Sequence, residues 1–358
     1  MALALSLGRR GHGQVWPNPA VGCVIVQNGQ IVGRGWTHPG GRSDAETQAL
    51  AQAMSKARGA DVYVTLEPCS HHGSTPPCAQ ALIDASVARV FVATMDPDPR
   101  VDGQGVAMLE AAGIEVQTGI LEAQALDDNA GFFERVERDM PFVTLKLASS
   151  FDGRIATGTG ESKWITASTA RRVVHAMRAR HDAVMVGGGT ARKDDPTLTV
   201  RDLGISNQPA RVVVSRRLDV PLMSTLARTA GEVPVILCHG HDADSELVQT
   251  WKELGATLLV CQSNAGHLDP SDVLRQLGRH GLTRVFCEGG SALAASLIEA
   301  DLVDELVNFQ AGLAIGAEGL PSIGALGVSQ LAQAPRYRLE ELRPVGADIM
   351  QVWRRGGD

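Results

Sequence analysis

Runs of apolar residues with a period of two give way, again and again, to runs spaced three and four apart, which predicts strands alternating with helices. Leu3, Leu5 and Leu7 place a short apolar-rich helix at the start; nothing caps it, so residues upstream of Met1 are expected. Residues 21–26 and 31–35 predict a hairpin around Asn28-Gly29. A helix with Ala49, Leu50, Ala53, Met54 and Ala57 on one face follows. Strands are then expected over 61–66, 89–93 and 114–118, with helices near 78–85 and 105–112, which implies a three-layer α/β sandwich. The charged stretch 130–140 reads as a short linking helix stopped by Pro141, so the domains divide as 1–140 and 141–358. In the second half the pattern predicts strands over 142–150, 183–186, 211–214, 234–238, 257–260, 284–287 and 305–309. Helices fit 168–180, 244–254, 271–280 and 291–300, again α/β with a largely parallel core.

Composition narrows the class. With 358 residues, 44% apolar and 20% charged, the chain is long enough for two buried cores and has the make-up of a globular protein. A net charge of −7 argues against a nucleic-acid partner. Six cysteines are too few for a disulfide scaffold at this length and point to metal or core roles in a reducing cytoplasm. No apolar run approaches the ~18 residues of a membrane span, so no membrane partner is expected.

The densest chemistry lies in Thr65-Leu66-Glu67-Pro68-Cys69-Ser70-His71-His72-Gly73-Ser74-Thr75-Pro76-Pro77-Cys78. A thiolate ending a strand and another opening a helix can share one metal ion, and a helix N-terminus favours the ionised thiol. Thr75 suits the cap of that helix and Pro76 its first position. The competing reading is a pair of buried structural thiols. Upstream, the prolines of Trp16-Pro17-Asn18-Pro19 fix a turn that presents Asn18. In the second half, Val184–Gly189 and Val285–Gly290 each run a buried strand into glycines, whose bare backbone admits a phosphate or merely a tight turn. Arg178 and Arg201 carry planar guanidinium forks, for which surface solvation is the default reading. Arg216 and Arg217, after a strand, are placed to meet a cofactor 2′-phosphate.

Pro17-Asn18-Pro19-x-Val21-Gly22, then Ala45-Glu46, then the Pro68–Cys78 motif resemble the deaminase half of the bifunctional riboflavin-biosynthesis deaminase/reductase family. The resemblance implies a cytidine-deaminase-like fold with Asp44, Cys69 and Cys78 around zinc, Glu46 as proton shuttle and Asn18 against the pyrimidine. Zinc there would make water a nucleophile toward the ring carbon bearing the amine, with Glu46 passing its proton to departing ammonia. Three positions depart from the family. Asp44 stands where histidine is usual, and either ligates through oxygen or is only a helix N-terminal acid, since Ser43-x-x-Glu46 also matches a capping box. Ser74 stands where lysine or arginine is usual, which weakens the hold on a substrate phosphate. Thr37 replaces a frequent histidine, for which His38 is the nearest substitute.

Ala148-Ser149-Ser150-x-Asp152-Gly153, Gly160-Glu161-Ser162-Lys163-Trp164, Asp194-Asp195-Pro196-x-Leu198-Thr199-x-Arg201 and Glu288-Gly289-Gly290 resemble the reductase half of the same family. That half has the dihydrofolate-reductase-like α/β fold and uses NADPH. The resemblance implies that Ala148, Trp164, Thr190, Asp194 and Ser215 contact the cofactor. It places Ser162, Arg178, Leu198, Arg201 and Glu288 against the substrate, with Asp194 or Glu288 as the acid that opens the ribose. The expectation is therefore a cytoplasmic, self-associating enzyme with Zn2+ and NADPH as cofactors, acting on small phosphorylated pyrimidines. The alternative keeps only the reductase active, with the first domain as a packing or oligomerisation module. A nucleic-acid base editor ranks last, because it leaves the second half idle.

Overall fold

A computed structural model of the chain describes residues 1–70 and 76–356, in two compact units, Met1–Asp139 and Met140–Asp358. The first unit runs α1 (Ala2–Gly8), β1 (Gly22–Gln27), β2 (Gln30–Trp36), α2 (Ala45–Ala53), β3 (Asp61–Val64), α3 (Cys78–Asp84), β4 (Arg89–Val92), α4 (Gln104–Ala111), β5 (Glu115–Gln117) and α5 (Glu122–Arg138). Its sheet has the order β2-β1-β3-β4-β5, antiparallel through β3 and parallel beyond. Alternation on the strands explains the layers. Cys23, Ile25, Val62, Val64, Val90 and Val92 face Ala49, Ala79, Leu82 and Leu109 of α2, α3 and α4. Val24 points the other way, onto Ala4 and Leu7 of α1. Gly35 is required here, because a Cβ on it would stand 2.0 Å from the Ala45 carbonyl oxygen, so the first turn of α2 lies directly on β2.

Two expected helices are drawn differently. The face through Met54 breaks at Ala53; Met54 turns to φ 50° and is exposed, and Met54–Ala57 continues as one 3-10 turn. The helix expected over 130–140 begins at Glu122. Its first half is mostly exposed and is tied down at Ala125, Asp128 and Asn129: Asp128 pairs with Arg9 at 2.8 Å, and Asn129 accepts from the Ala20 amide at 3.0 Å. Such bonds leave no apolar stripe to read.

The second unit opens with β6 (Phe142–Ser150), β7 (Arg154–Ala156), α6 (Ser168–Arg178), β8 (Ala183–Gly187), α7 (Gly188–Asp194), β9 (Ala210–Val214) and α8 (Thr225–Arg228). It continues with β10 (Val235–Gly240), α9 (Ser245–Glu253), β11 (Thr257–Cys261), β12 (Ser263–Asn264), β13 (His267–Leu268), α10 (Pro270–Arg279) and β14 (Arg284–Cys287). Last come α11 (Ser291–Glu299), β15 (Glu305–Ala311), β16 (Leu320–Pro321), β17 (Tyr337–Val345) and β18 (Asp348–Arg355). The main sheet has the order β11-β10-β9-β8-β14-β6-β15-β18-β17, parallel from β11 to β15 and antiparallel at the β18-β17 edge. Its parallel strands are apolar on both faces, as sheets covered by helices require. The β17-β18 hairpin was not expected, because β17 is exposed along most of its length and carries Arg338, Glu340, Glu341 and Arg343. Since β14 lies beside β8, the two glycine runs end side by side: Gly187 N–H donates to the Gly289 carbonyl at 2.9 Å.

Candidate functional site

In the first unit α2 starts after Asp44, whose side chain makes no cap bond. Ser43 is not the cap, so the capping-box reading of Glu46 fails; Glu46 is 4% exposed and lines a cavity of about 450 Å³. Asn18, Asp44, Cys69 and Cys78 line the same cavity. The helix α3 begins at Cys78 after Pro77, so Pro76 stands outside it, while Ser74 and Thr75 fall outside the described residues. The Cys78 amide donates to Cys69 Sγ at 3.3 Å, which places the two sulfurs together at a helix N-terminus. Hydrogen bonding from Cys78 outweighs burial and brings the Cys69 thiol down to about 7, while the same bond, burial and nearby acids push Cys78 up. Glu46 rises to about 8, through burial first and then the charges of Cys69 and Asp44. Thr37 is buried, its hydroxyl accepting from the Val21 amide at 3.0 Å. His38 does not substitute in the cavity; its ring leans on Trp36, centroids 5.3 Å apart.

Among the described residues no three His, Cys, Asp or Glu side chains already stand in metal-holding geometry. The donor chemistry nonetheless fits zinc. Two sulfurs meet, a carboxylate lines the same cavity, and neighbouring negative charges help push Glu46 and Cys78 up, which a divalent cation relieves.

In the second unit the centre is an ion cluster. Arg178, from the end of α6, grips Glu288 through Nε and Nη2 at 2.5 and 3.0 Å, and its Nη1 donates to the Thr199 carbonyl at 2.8 Å. Burial alone would raise Glu288, but Arg178, Lys146 and His175 outweigh it and hold the carboxyl below its usual range. The surrounding cations thus favour the carboxylate form of Glu288. Lys146 on β6 was missed; burial lowers its pKa, against the pull of Glu288. The signal was there, a lone lysine inside the apolar run of β6. His175 also joins, its Nδ1 accepting from the Arg201 amide at 3.2 Å, which brings Arg201 to the cluster.

Thr190 Oγ1 accepts from the Gly290 amide at 3.2 Å and ties the two glycine turns together. Ser215, just after β9, donates to Asp219 at 2.6 Å. Gly187, Gly188, Gly189, Arg192 and Arg216 line a second cavity of about 580 Å³; Arg217 is not among its lining residues. Ala148 sits half-buried on β6, paired with Phe309 of β15. Trp164 is not core: it is 72% exposed, with the Arg171 guanidinium 4.2 Å from its ring centre. Ser162 and Asp194 are exposed. The Leu198 side chain packs into the core at φ 55°, so only its backbone can face a ligand.

Two family models match the chain: the cytidine and deoxycytidylate deaminase zinc-binding region over residues 1–94, and the RibD C-terminal domain over residues 141–351. The chain belongs to the RibD family. The riboflavin biosynthesis protein RibD of Escherichia coli is 40% identical over 98% of this chain and 96% of its own length. Among solved structures, Acinetobacter baumannii RibD aligns with a TM-score of 0.88 at 37% identity, over 99% of this chain and 97% of its own. The Thermotoga maritima diaminohydroxyphosphoribosylaminopyrimidine deaminase/5-amino-6-(5-phosphoribosylamino)uracil reductase aligns with a TM-score of 0.87 at 32% identity, over 99% and 97% of the two chains. RibD proteins are bifunctional, and this chain carries both halves, with zinc and NADPH as the cofactors that fit them.

Proposed function

We propose that the first unit deaminates 2,5-diamino-6-(5-phosphoribosylamino)pyrimidin-4-one and that the second reduces the ribosyl group of the product to ribityl with NADPH. One observation carries the first step: Glu46, Cys69 and Cys78 converge on one cavity, with Glu46 poised to hold or release a proton near neutral pH. Cys69, Cys78 and Asp44 are the residues that would hold zinc, which supplies Lewis acidity and makes water a nucleophile near neutral pH. Glu46 takes a proton from the attacking water and hands it to the leaving ammonia. Asn18, whose amide donates to the Val15 carbonyl at 3.3 Å, orients the pyrimidine from the cavity wall.

In the second unit NADPH supplies the hydride. The glycine turns joined by Thr190, with Ser215 and Arg216, cradle the cofactor, and Ala148, Trp164 and Asp194 complete its site. Arg178 and Arg201 orient the sugar phosphate, with Ser162 and the Leu198 backbone beside them. Lys146, its ammonium weakened by burial next to the Glu288 carboxylate, is the proton donor for ribose opening. No helix among the described residues is long and apolar enough to cross a membrane, consistent with the cytoplasmic placement we infer. Exposed Leu339 and Leu342 on the edge strand β17 support self-association, and the acidic net charge supports the absence of a nucleic-acid partner.

The test is to supply zinc-loaded protein with the pyrimidine precursor and no NADPH. Ammonia release, followed by a ribityl product only once NADPH is added, is expected; no ammonia under these conditions refutes the first step. Asp44→His is expected to raise zinc content and deamination together, and unchanged zinc would remove Asp44 from the proposed ligand set.

A further inference from the structure

Resting on the deaminase reading, we propose that Arg42, Arg100 and Arg135 anchor the substrate's phosphate in the first unit, in place of the basic residue missing at Ser74. The argument begins with the charges that line the cavity. Asp44, Glu46, Glu67, Asp96 and Asp98 contribute carboxyls, and among the described residues Arg42, Arg100 and Arg135 are the cavity's only cations. Among the described lining residues, those guanidiniums are the side chains that attract a phosphate dianion entering the cavity.

The acids are arranged to hold one of them, Arg100. Glu67 is buried and accepts from the amides of Asp96, Gly103, Gly105 and Val106 at 3.4, 3.0, 2.9 and 3.1 Å, which pins the loop between β4 and α4. Within that loop Asp96 accepts from the Asp98 amide at 2.9 Å, and Asp98 holds Arg100 by Nε at 2.9 Å and by Nη2. Arg100 is therefore pre-set in direction, with Nη1 left to reach an anion, and its side chain is 71% exposed. Arg135 reaches from α5 beside the Asn18 turn, donating from Nη1 to the Pro17 carbonyl at 3.4 Å. Arg42 is exposed just before α2. Three segments distant in sequence thus each bring one guanidinium to the cavity that holds Glu46 and the thiols.

The test compares the full-length protein with R42Q, R100Q, R135Q and the triple variant, measuring ammonia release from the phosphorylated precursor and from the same precursor after phosphatase treatment. The KM for the phosphorylated compound is expected to rise about tenfold per arginine and at least about a hundredfold in the triple variant, with kcat held and the dephosphorylated compound handled alike by all. The NADPH-dependent reduction, measured on the same samples, serves as the folding control. An unchanged KM in the triple variant overturns the proposal, as does an equal rise for both compounds. Should the parent release no ammonia at all, it is the deaminase reading that fails. Calorimetric titration with ribose 5-phosphate, run on Arg201→Gln protein so that the second unit's proposed sugar-phosphate site is silenced, then decides the anchor by itself: weaker binding when the three arginines of the first unit are also replaced supports it, and equal binding overturns it.

Discussion

Around Cys69 the first unit gathers like charges, with Asp44 and the Cys69 thiolate adding to burial in pushing Glu46 up to about 8. Around Glu288 the second unit gathers opposite charges, with Arg178, Lys146 and His175 holding the carboxyl ionised despite its burial. A cluster of like charges is completed only by a cation from outside, so its chemistry waits on a metal. A cluster of opposite charges is complete within the chain and can orient a ligand before anything binds. The difference teaches that removing a carboxyl should leave stability nearly unchanged in the first place and cost it heavily in the second.

The sharpest break is Glu46→Gln. Deamination is expected to fall about a thousandfold, because the proton carrier is gone, while stability moves by less than about 0.5 kcal/mol, since the amide resembles a carboxyl that already holds its proton. Ammonia assay and denaturant unfolding check both, and a large loss of stability would contradict the like-charge picture. The matching change, Glu288→Gln, leaves the largely buried Arg178 without its counter-charge and with one of its two bonds to residue 288 lost. It is expected to cost about 3 kcal/mol in unfolding free energy and about a hundredfold in NADPH-dependent reduction, with ammonia release intact. A stable, active Glu288→Gln protein would show that the ion cluster is incidental. Next in size, Arg216→Glu should lower the preference for NADPH over NADH about tenfold, read from the two kcat/KM values; unchanged preference would place the 2′-phosphate elsewhere.

The smallest effect probes the group in the second unit that stays neutral. His181 is buried between the Met177 carbonyl at 2.7 Å and Thr144 Oγ1 at 3.1 Å, and burial depresses it to about 3. Below its unfolded value near 6.5 the unfolded chain takes up a proton that the folded protein refuses until about pH 3, so stability falls as pH falls. Unfolding curves from pH 7 to 5 should lose up to about 1.4 kcal/mol per pH unit from this group, a slope absent in His181→Asn. Equal slopes would mean that the ring is protonated in the fold.

Legibility in the sequence followed the range of the interaction. The β1–β2 hairpin, the buried strands and the amphipathic α9 and α10 are set by neighbours a few residues apart, and their periods showed them. The start of α5 and the β17-β18 hairpin did not show, because the first is held by Asp128 and Asn129 bonding to distant backbone and side chains, and the second lies exposed with few apolar positions. At the sites, the Pro68–Cys78 motif announced itself by spacing. Lys146 and the pairing of Arg178 with Glu288, a separation of 110 residues, did not.

What the chain determined by itself is the set of elements, the two α/β halves and the residue types for zinc and NADPH chemistry, all carried by local pattern and short motifs. Only the tertiary structure decided that Glu46 is a buried acid and not a cap, that three arginines enter one cavity, and that Glu288 is a held carboxylate. The reason is that a charged group takes its role from whatever the fold brings within a few ångströms. For Glu288 the strand order, with β14 seated between β8 and β6, made that choice, and no spacing along the chain encodes it.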